Sequence, residues 1–99
     1  MFAVIYRWRL QQGKEEQFGA AWHRMTDAIH RSCGSYGSRL HQADDGTWLA
    51  YARWPDAATR ERCQGADPEA LELMRASIAE SFPEIRCAIV DDLLAEPGR

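Results

Sequence analysis

The stretch Gly34–Asp56, GSYGSRLHQADDGTWLAYARWPD, constrains the fold of this chain more than any other. It reads as two strands, about Tyr36–Gln42 and Thr47–Trp54, joined by an Asp-Asp-Gly turn. Asp45-Gly46 between alternating large and small residues is a strong hairpin signal, because glycine accepts the positive φ of a tight turn. The second strand ends at Trp54, and Pro55-Asp56 then starts a helix. Trp54 therefore falls where a sheet gives way to a helix, a natural wall for a pocket.

The flanking sequence supplies partners for this hairpin. In residues 2–10, Phe2, Val4, Tyr6, Trp8 and Leu10 share one face of a strand and Ala3, Ile5, Arg7 and Arg9 the other. From Lys14 to about Ser32, Phe18, Trp22, Met25 and Ile29 form one helical stripe, and Gly34 is a fitting stop. Asp56 to about Gln64 reads as a short helix. Asp67-Pro68-Glu69 supplies a cap, a first-turn proline and an acidic first turn for a helix running to about Glu80, with Leu71, Met74 and Ile78 as its stripe. Pro83 closes that region, Ile85–Leu94 is expected as the last strand, and Ala95–Arg99 is a polar tail. The order β-α-β-β-α-β is the ferredoxin-like pattern, an α+β fold with an antiparallel sheet, read here as a single domain over 1–99. Helices are expected on one sheet face. Ile5, Leu49 and Tyr51 point to the other, and a second copy of the chain is expected to cover it, since a chain of 99 residues buries only part of its surface alone.

The charge balance narrows the partners. A net charge of −3 and no clustered basic face argue against nucleic acid. No apolar run approaches membrane-spanning length, and FAVIY after Met1, interrupted by Arg7, is no secretory signal. The three cysteines, Cys33, Cys63 and Cys87, form neither a CxxC nor a zinc pattern. They are read as free thiols of a cytoplasmic protein. No phosphate-cradling glycine loop, dinucleotide fingerprint or serine–histidine–acid order is present.

Gly13-Lys14-Glu15-Glu16-Gln17-Phe18, following a strand that ends Trp8-Arg9-Leu10, resembles the opening of antibiotic biosynthesis monooxygenase-like proteins. Trp54-Pro55-Asp56 is similar to the strand-ending tryptophan of that family. The resemblance spans nearly the whole chain in element order. It implies a dimeric α+β barrel, in which two sheets pack face to face. The members it implies include cofactor-free oxygenases of polycyclic phenols, haem-degrading enzymes and proteins with no known reaction. Haem-degrading members resemble one another in a first-strand asparagine, the tryptophan, and a histidine a few turns later. Here those positions fall near Tyr6, at Trp54, and near Gln64 or Gly65, and the chain contains no asparagine at all. No cofactor is therefore expected.

Several residue sets could carry chemistry. Tyr6, Trp8, Trp22 and Trp54 can all turn into the space between sheet and helices. There they either line a flat pocket for an aromatic ligand, with Tyr6 orienting it, or fill the core of a small domain. His41, with Arg39 on the same strand face, could act as a general base or sit bonded at a dimer face. Arg7, Arg39, Tyr51, Arg53 and Asp91 are read as that dimer face, the three arginines forming a row that Asp91 or Asp92 neutralises, or else an anion pocket. His23, Asp27 and His30 centre opposite the apolar stripe of their helix and read as a solvated face, with no metal site. Tyr6, His41 and Trp54 are thus the catalytic candidates, and Trp8, Trp22 and Trp54 the substrate walls. Two functions compete. One is a cofactor-independent monooxygenase of a phenolic or polycyclic aromatic substrate. The other is a non-catalytic homodimer that binds a small molecule or serves another protein.

Overall fold

The computed structural model describes residues 1–95. The elements run β1 (Phe2–Leu10), α1 (Glu15–Cys33), β2 (Ser38–Gln42), β3 (Trp48–Trp54), α2 (Ala57–Glu61), α3 (Pro68–Ser77), β4 (Ile78–Ser81) and β5 (Ile85–Ala88). The sheet is antiparallel, with β2 beside β3, β3 beside β1, and both β4 and β5 on the other edge of β1. This is the expected α+β arrangement, with α1 and α3 packed together over one face.

The hairpin forms where Asp45-Gly46 places it. Gly46 takes a φ of 86°, and the Ala43 N–H donates the closing backbone bond to the Thr47 carbonyl at 2.8 Å. The Asp45 carboxylate accepts from both the Thr47 N–H (2.9 Å) and the Thr47 hydroxyl (2.6 Å). The hydroxyl and N–H of Thr47, joined by the nearby Arg7 guanidinium, hold the Asp45 carboxyl below its ordinary pKa. Thr47 is buried, so this cap closes the turn from inside.

β1 and β3 share the long central pairing, with Val4 opposite Ala52, Tyr6 opposite Ala50 and Trp8 opposite Trp48. These residues face the helices. Phe18 on α1 is fully buried between Trp8 and Trp48, at centroid distances of 5.1 and 6.3 Å with edge-on geometry. Burying such a ring stabilises by about 2–3 kcal/mol, and the edge-to-face contacts add to it. At the far side of the layer Arg24 forks from α1 onto Asp67 and Glu69 at the start of α3.

The C-terminal third departs from the sequence expectation. α3 ends at Ser77, not Glu80, and the chain enters β4 at once. The Ser77 hydroxyl donates to the Leu73 carbonyl (2.8 Å), and the Gln11 N–H donates to the Ser77 carbonyl (2.8 Å), so the backbone leaves the helix for the edge of β1. The expected last strand, Ile85–Leu94, is also shorter. β5 stops at Ala88, and Asp91 and Asp92 lie beyond it instead of on a strand. One edge of β1 is therefore covered twice: β4 pairs with Trp8–Leu10 and β5 with Phe2–Ile5. Pro83, which has no N–H to give, interrupts the two, and Arg7 lies 4.5 Å from the centre of the Phe82 ring at that break. Of the expected polar tail, only Ala95 falls within the described residues.

Cysteine pairing corrects a second expectation. Cys33, the last residue of α1, and Cys63, just after α2, form a disulfide with their Cα atoms 5.4 Å apart. Only Cys87 is a free thiol. The pair is separated by 30 residues, and nothing in its spacing distinguishes it from two unrelated thiols. With two of the three sulfurs joined, cysteine usage no longer argues for a reducing compartment. Among the described residues, no helix is long and apolar enough to cross a membrane.

The disulfide ties down a segment with little else to hold it. α2 buries no residue. Its other anchors include the Asp56 cap on the Thr59 N–H (2.7 Å), the ion pair of Glu61 with Arg86 on β5 (3.3 Å) and the Arg60 contacts described below. Closing a loop of 30 residues should therefore contribute about 3–4 kcal/mol through the unfolded chain. Reduction, or the paired change Cys33→Ser with Cys63→Ser, should lower stability by about that amount in a urea melt followed by circular dichroism. An unchanged midpoint would mean the crosslink stabilises nothing.

Candidate functional site

The side chains of β3 that face the helices read Trp48, Ala50, Ala52, Trp54: two tryptophans with two alanines between them. β1 offers Tyr6 opposite Ala50 and Val4 opposite Ala52. Small residues at the middle of a face that large residues hold apart leave unfilled space. The structure has a cavity of about 350 Å³ there, between the sheet and the helix layer. Tyr6, Trp8, Trp22 and Trp54 all line it, and α1 adds Met25, Thr26 and Ile29, while α3 adds Leu71 and Met74.

The choice between pocket and filled core thus divides along the layer. At one end Trp8, Phe18 and Trp48 pack edge to face and fill the space. At the other, Tyr6, Trp22 and Trp54 border the cavity. Tyr6 stacks parallel on Trp8 (5.6 Å between centroids, 4° between planes), so Trp8 belongs to both halves.

The polar groups around the cavity are few. The Tyr6 hydroxyl oxygen accepts from Arg60 Nη2 at 3.0 Å, and the same nitrogen donates to Glu84 Oε2 at 2.9 Å. Partial burial would lower the Arg60 pKa, but its bonds to Glu84 and Tyr6 outweigh that and raise it, holding the guanidinium charged. Because the Tyr6 oxygen receives a bond from Arg60, its own proton remains available to a ligand. Trp54 is 4% exposed and its Nε1 makes no hydrogen bond; the Ser38 hydroxyl is also buried and unpaired. Arg75 lines the rim, bonded to Glu72 at 3.3 Å. Among the described residues, Tyr6 and Arg75 are the only titratable side chains on the cavity wall.

His41 lies elsewhere. Strand parity turns it, with Arg39, to the sheet face away from the helices, where it lines an open groove of about 1220 Å³ with Tyr51, Arg53 and Asp91. The structure therefore does not bring His41 together with Tyr6 and Trp54. Nor do the three arginines form a row: Arg39 is level with Tyr51, Arg7 with Leu49, and Arg53 with Ala3. Arg7 bonds Asp45 at 3.0 Å, and the carboxylate near Arg53 is that of Asp92 at 3.8 Å, not Asp91. His23, Asp27 and His30 are exposed, with Asp27 paired to Arg31 (2.8 Å) and the His30 ring 2.6 Å from the Ser35 carbonyl. Among the described residues, no group of three metal-ligand side chains comes together.

The sequence reading missed Ala50, Ala52 and Ser38. The Trp-x-Ala-x-Ala-x-Trp alternation was the signal for the first two, since period-2 spacing puts all four residues on one face. Ser38 carried no signal, because its burial depends on the packing of the α1–β2 connection.

The architecture matches known proteins over most of its length. The family model for antibiotic biosynthesis monooxygenase covers residues 1–77. The chain belongs to the antibiotic biosynthesis monooxygenase family. Among solved structures it is similar to SnoaB, a cofactor-independent oxygenase from Streptomyces nogalater, at a TM-score of 0.78 and 17% identity, covering 93% of this chain and 95% of that one. It is also similar to Rv0793 from Mycobacterium tuberculosis, at a TM-score of 0.74 and 15% identity, covering 94% and 98%. Identities this low carry the fold alone. No curated protein matches the chain.

The cavity can be closed by one substitution. Ala52→Leu should fill space left by the alanine pair at a cost of about 1–3 kcal/mol if it overpacks, and less if the void accepts it. A thermal-shift screen with small polycyclic phenols should stabilise the parent protein and leave the folded variant unmoved. Equal shifts in both would place the ligand outside this cavity.

Proposed function

We propose that the chain is a cofactor-independent monooxygenase acting on a phenolic or polycyclic aromatic substrate, and that it works as a homodimer. The observation that supports this most is the cavity itself: about 350 Å³, within the size range of small-molecule sites, walled by Tyr6, Trp8, Trp22 and Trp54. Membership of the monooxygenase family and a fold shared with a cofactor-independent oxygenase agree with it.

The chemistry asks little of the protein. A ring-activated methylene loses a proton to give an electron-rich carbanion delocalised onto oxygen. Transfer of electrons from that anion to O₂, then C–O bond formation, converts CH₂ to C=O. One oxygen atom enters the product and the other leaves as water, so four electrons pass from carbon to oxygen with no external reductant. The site must exclude water, hold the ring and stabilise the anion. In this reading Trp8, Trp22 and Trp54 hold the ring. The Tyr6 hydroxyl handles a proton or bonds the substrate oxygen, and charged Arg60 behind it offsets developing negative charge.

One observation favours the alternative, a binding protein of the same fold: the described cavity wall bears no carboxylate and no imidazole. Oxygen-electrode measurements separate the two. With an anthrone-type substrate, the parent should consume oxygen, and Tyr6→Phe should lose about 10²-fold or more in turnover while keeping its melting temperature. Ligand-induced stabilisation with no oxygen uptake above the protein-free rate would favour binding alone.

The dimer is supported by the uncovered sheet face and by the segment that follows β5. There Val90, Leu93 and Leu94 are 95%, 90% and 72% exposed, a large apolar surface for a lone chain. Sedimentation at micromolar concentration should give a dimer, and Leu93→Asp should shift it toward monomer. A monomeric parent would overturn the homodimer.

A further inference from the structure

The Tyr6 hydroxyl is bonded by a residue from outside the packed helix and sheet layers. Its donor, Arg60, stands on α2, a helix of five residues that buries none of them. A helix this short does not hold its shape in water alone. At its start Asp56 caps the Thr59 N–H (2.7 Å). At its end the Cys63 N–H donates to the Arg60 carbonyl at 3.0 Å, so the backbone of Arg60 is bonded directly to the residue that carries the crosslink. The Arg60 side chain then reaches two targets, the Tyr6 oxygen on β1 at 3.0 Å and Glu84 between β4 and β5 at 2.9 Å. The pair of Glu61 with Arg86 leaves both side chains half or more exposed and holds weakly.

The two ends of the disulfide are held unequally. Cys33 closes α1, 19 residues long, whose Phe18 and Ala21 are buried in the core. Gly34 then turns the chain, and the His30 ring lies 2.6 Å from the carbonyl of buried Ser35. That end is fixed by the layer. Cys63 lies on the segment between α2 and α3, and the S–S bond carries the fixed position of α1 across to it. Both cysteines are half-buried and the residues after them, Gly34 and Gln64, are exposed, so a small dithiol reaches the bond.

We propose that the Cys33–Cys63 disulfide is a redox switch on the cavity: closed, it seats α2 with Arg60 bonded to Tyr6; open, it releases Arg60 and weakens the site for aromatic ligands bearing a hydroxyl or phenolate oxygen. The inference rests on the aromatic-ligand reading of the cavity but not on catalysis. The step balances with an external dithiol as reductant. One of its thiolates attacks a protein sulfur, the S–S bond breaks, and its second thiolate resolves the mixed disulfide. Two electrons and two protons pass to the protein, Cys33 and Cys63 each end as a thiol, and the dithiol ends as its own disulfide. Exchange with an oxidised dithiol reverses it. The core does not lean on α2, which buries no residue, so the reduced chain stays folded with Tyr6 still on β1. What it loses is the donor on the Tyr6 oxygen and the positive charge behind it. Arg60 is a positioning residue in this account, acting on the ligand through Tyr6.

The test reads Tyr6 directly. In the full chain labelled with carbon-13 tyrosine, the Tyr6 ring resonances are assigned by their loss in Tyr6→Phe. Excess dithiothreitol should move them toward their position in Arg60→Met, which keeps the crosslink but lacks the donor, and leave those of Tyr36 and Tyr51 in place. Equilibrium dialysis with 2-naphthol then reads the site without any reaction. Opening the disulfide should weaken binding about 3–10-fold, the worth of one hydrogen bond, and so should Arg60→Met. Reducing Arg60→Met should add nothing, because both changes remove the same contact. Unmoved Tyr6 resonances, or equal affinity of the oxidised and reduced parent, would overturn the switch while leaving the aromatic cavity standing. A further loss of the same size on reducing Arg60→Met would overturn it too, since the disulfide would then act by another route. Collapse of all the tyrosine resonances on reduction would make the crosslink a support of the whole fold and sink the switch. Binding of 2-naphthol in neither state would overturn the aromatic reading and this proposal together.

Discussion

The register between β1 and β3 is the constraint on which the rest depends. Tyr6 faces Ala50, and Val4 faces Ala52, with Trp8 and Trp48 paired at the end of the ladder. Because side chains alternate along a strand, a slip of β3 by one residue would send Trp48, Ala50, Ala52 and Trp54 to the opposite face. Leu49, Tyr51 and Arg53 would then meet the helices. The turn helps to prevent the slip. Asp45 bonds the N–H and hydroxyl of buried Thr47, and Arg7 reaches across from β1 to Asp45 at 3.0 Å and Thr47 at 3.3 Å. These polar contacts hold the hairpin to β1 in the one alignment that puts two alanines opposite an aromatic and a valine.

A cavity follows from that alignment only because the helix layer does not collapse into it. Phe18 is wedged between Trp8 and Trp48 and acts as a spacer at one end. Arg24 clamps α1 to the start of α3 through Asp67 and Glu69. The disulfide joins the end of α1 to the segment after α2. Large rigid rings and fixed ties hold the layers apart over residues too small to fill the gap. This is a physical basis for the coexistence of a packed core and an open site in so short a chain. The two sheet faces differ in chemistry for the same reason. The inner face carries aromatic walls and few titratable groups, and the outer carries His41, Arg39, Arg53 and the acidic segment near Asp92.

Element order, hairpin position, helix caps and the inward turn of Tyr6, Trp8, Trp22 and Trp54 were legible in the sequence by itself. Each is a local matter of period, turn chemistry or capping: Gly46 in the turn, Gly34 at a φ of 76° ending α1, Asp56 and Asp67 bonding the first turns of their helices. Family membership was legible for the same reason, since its motifs lie on those local signals. What only the tertiary structure decided involves partners distant in sequence. Ser77 leaves its helix because β1 offers its backbone a better set of bonds, so β4 begins where helical periodicity still ran. Cys33 and Cys63 meet because two helix ends converge, and their spacing of 30 residues holds no trace of it. The Ser38 hydroxyl and the Trp54 indole are left unpaired by the packing around them, and no pattern of residue types records which polar atoms a fold will leave without a partner.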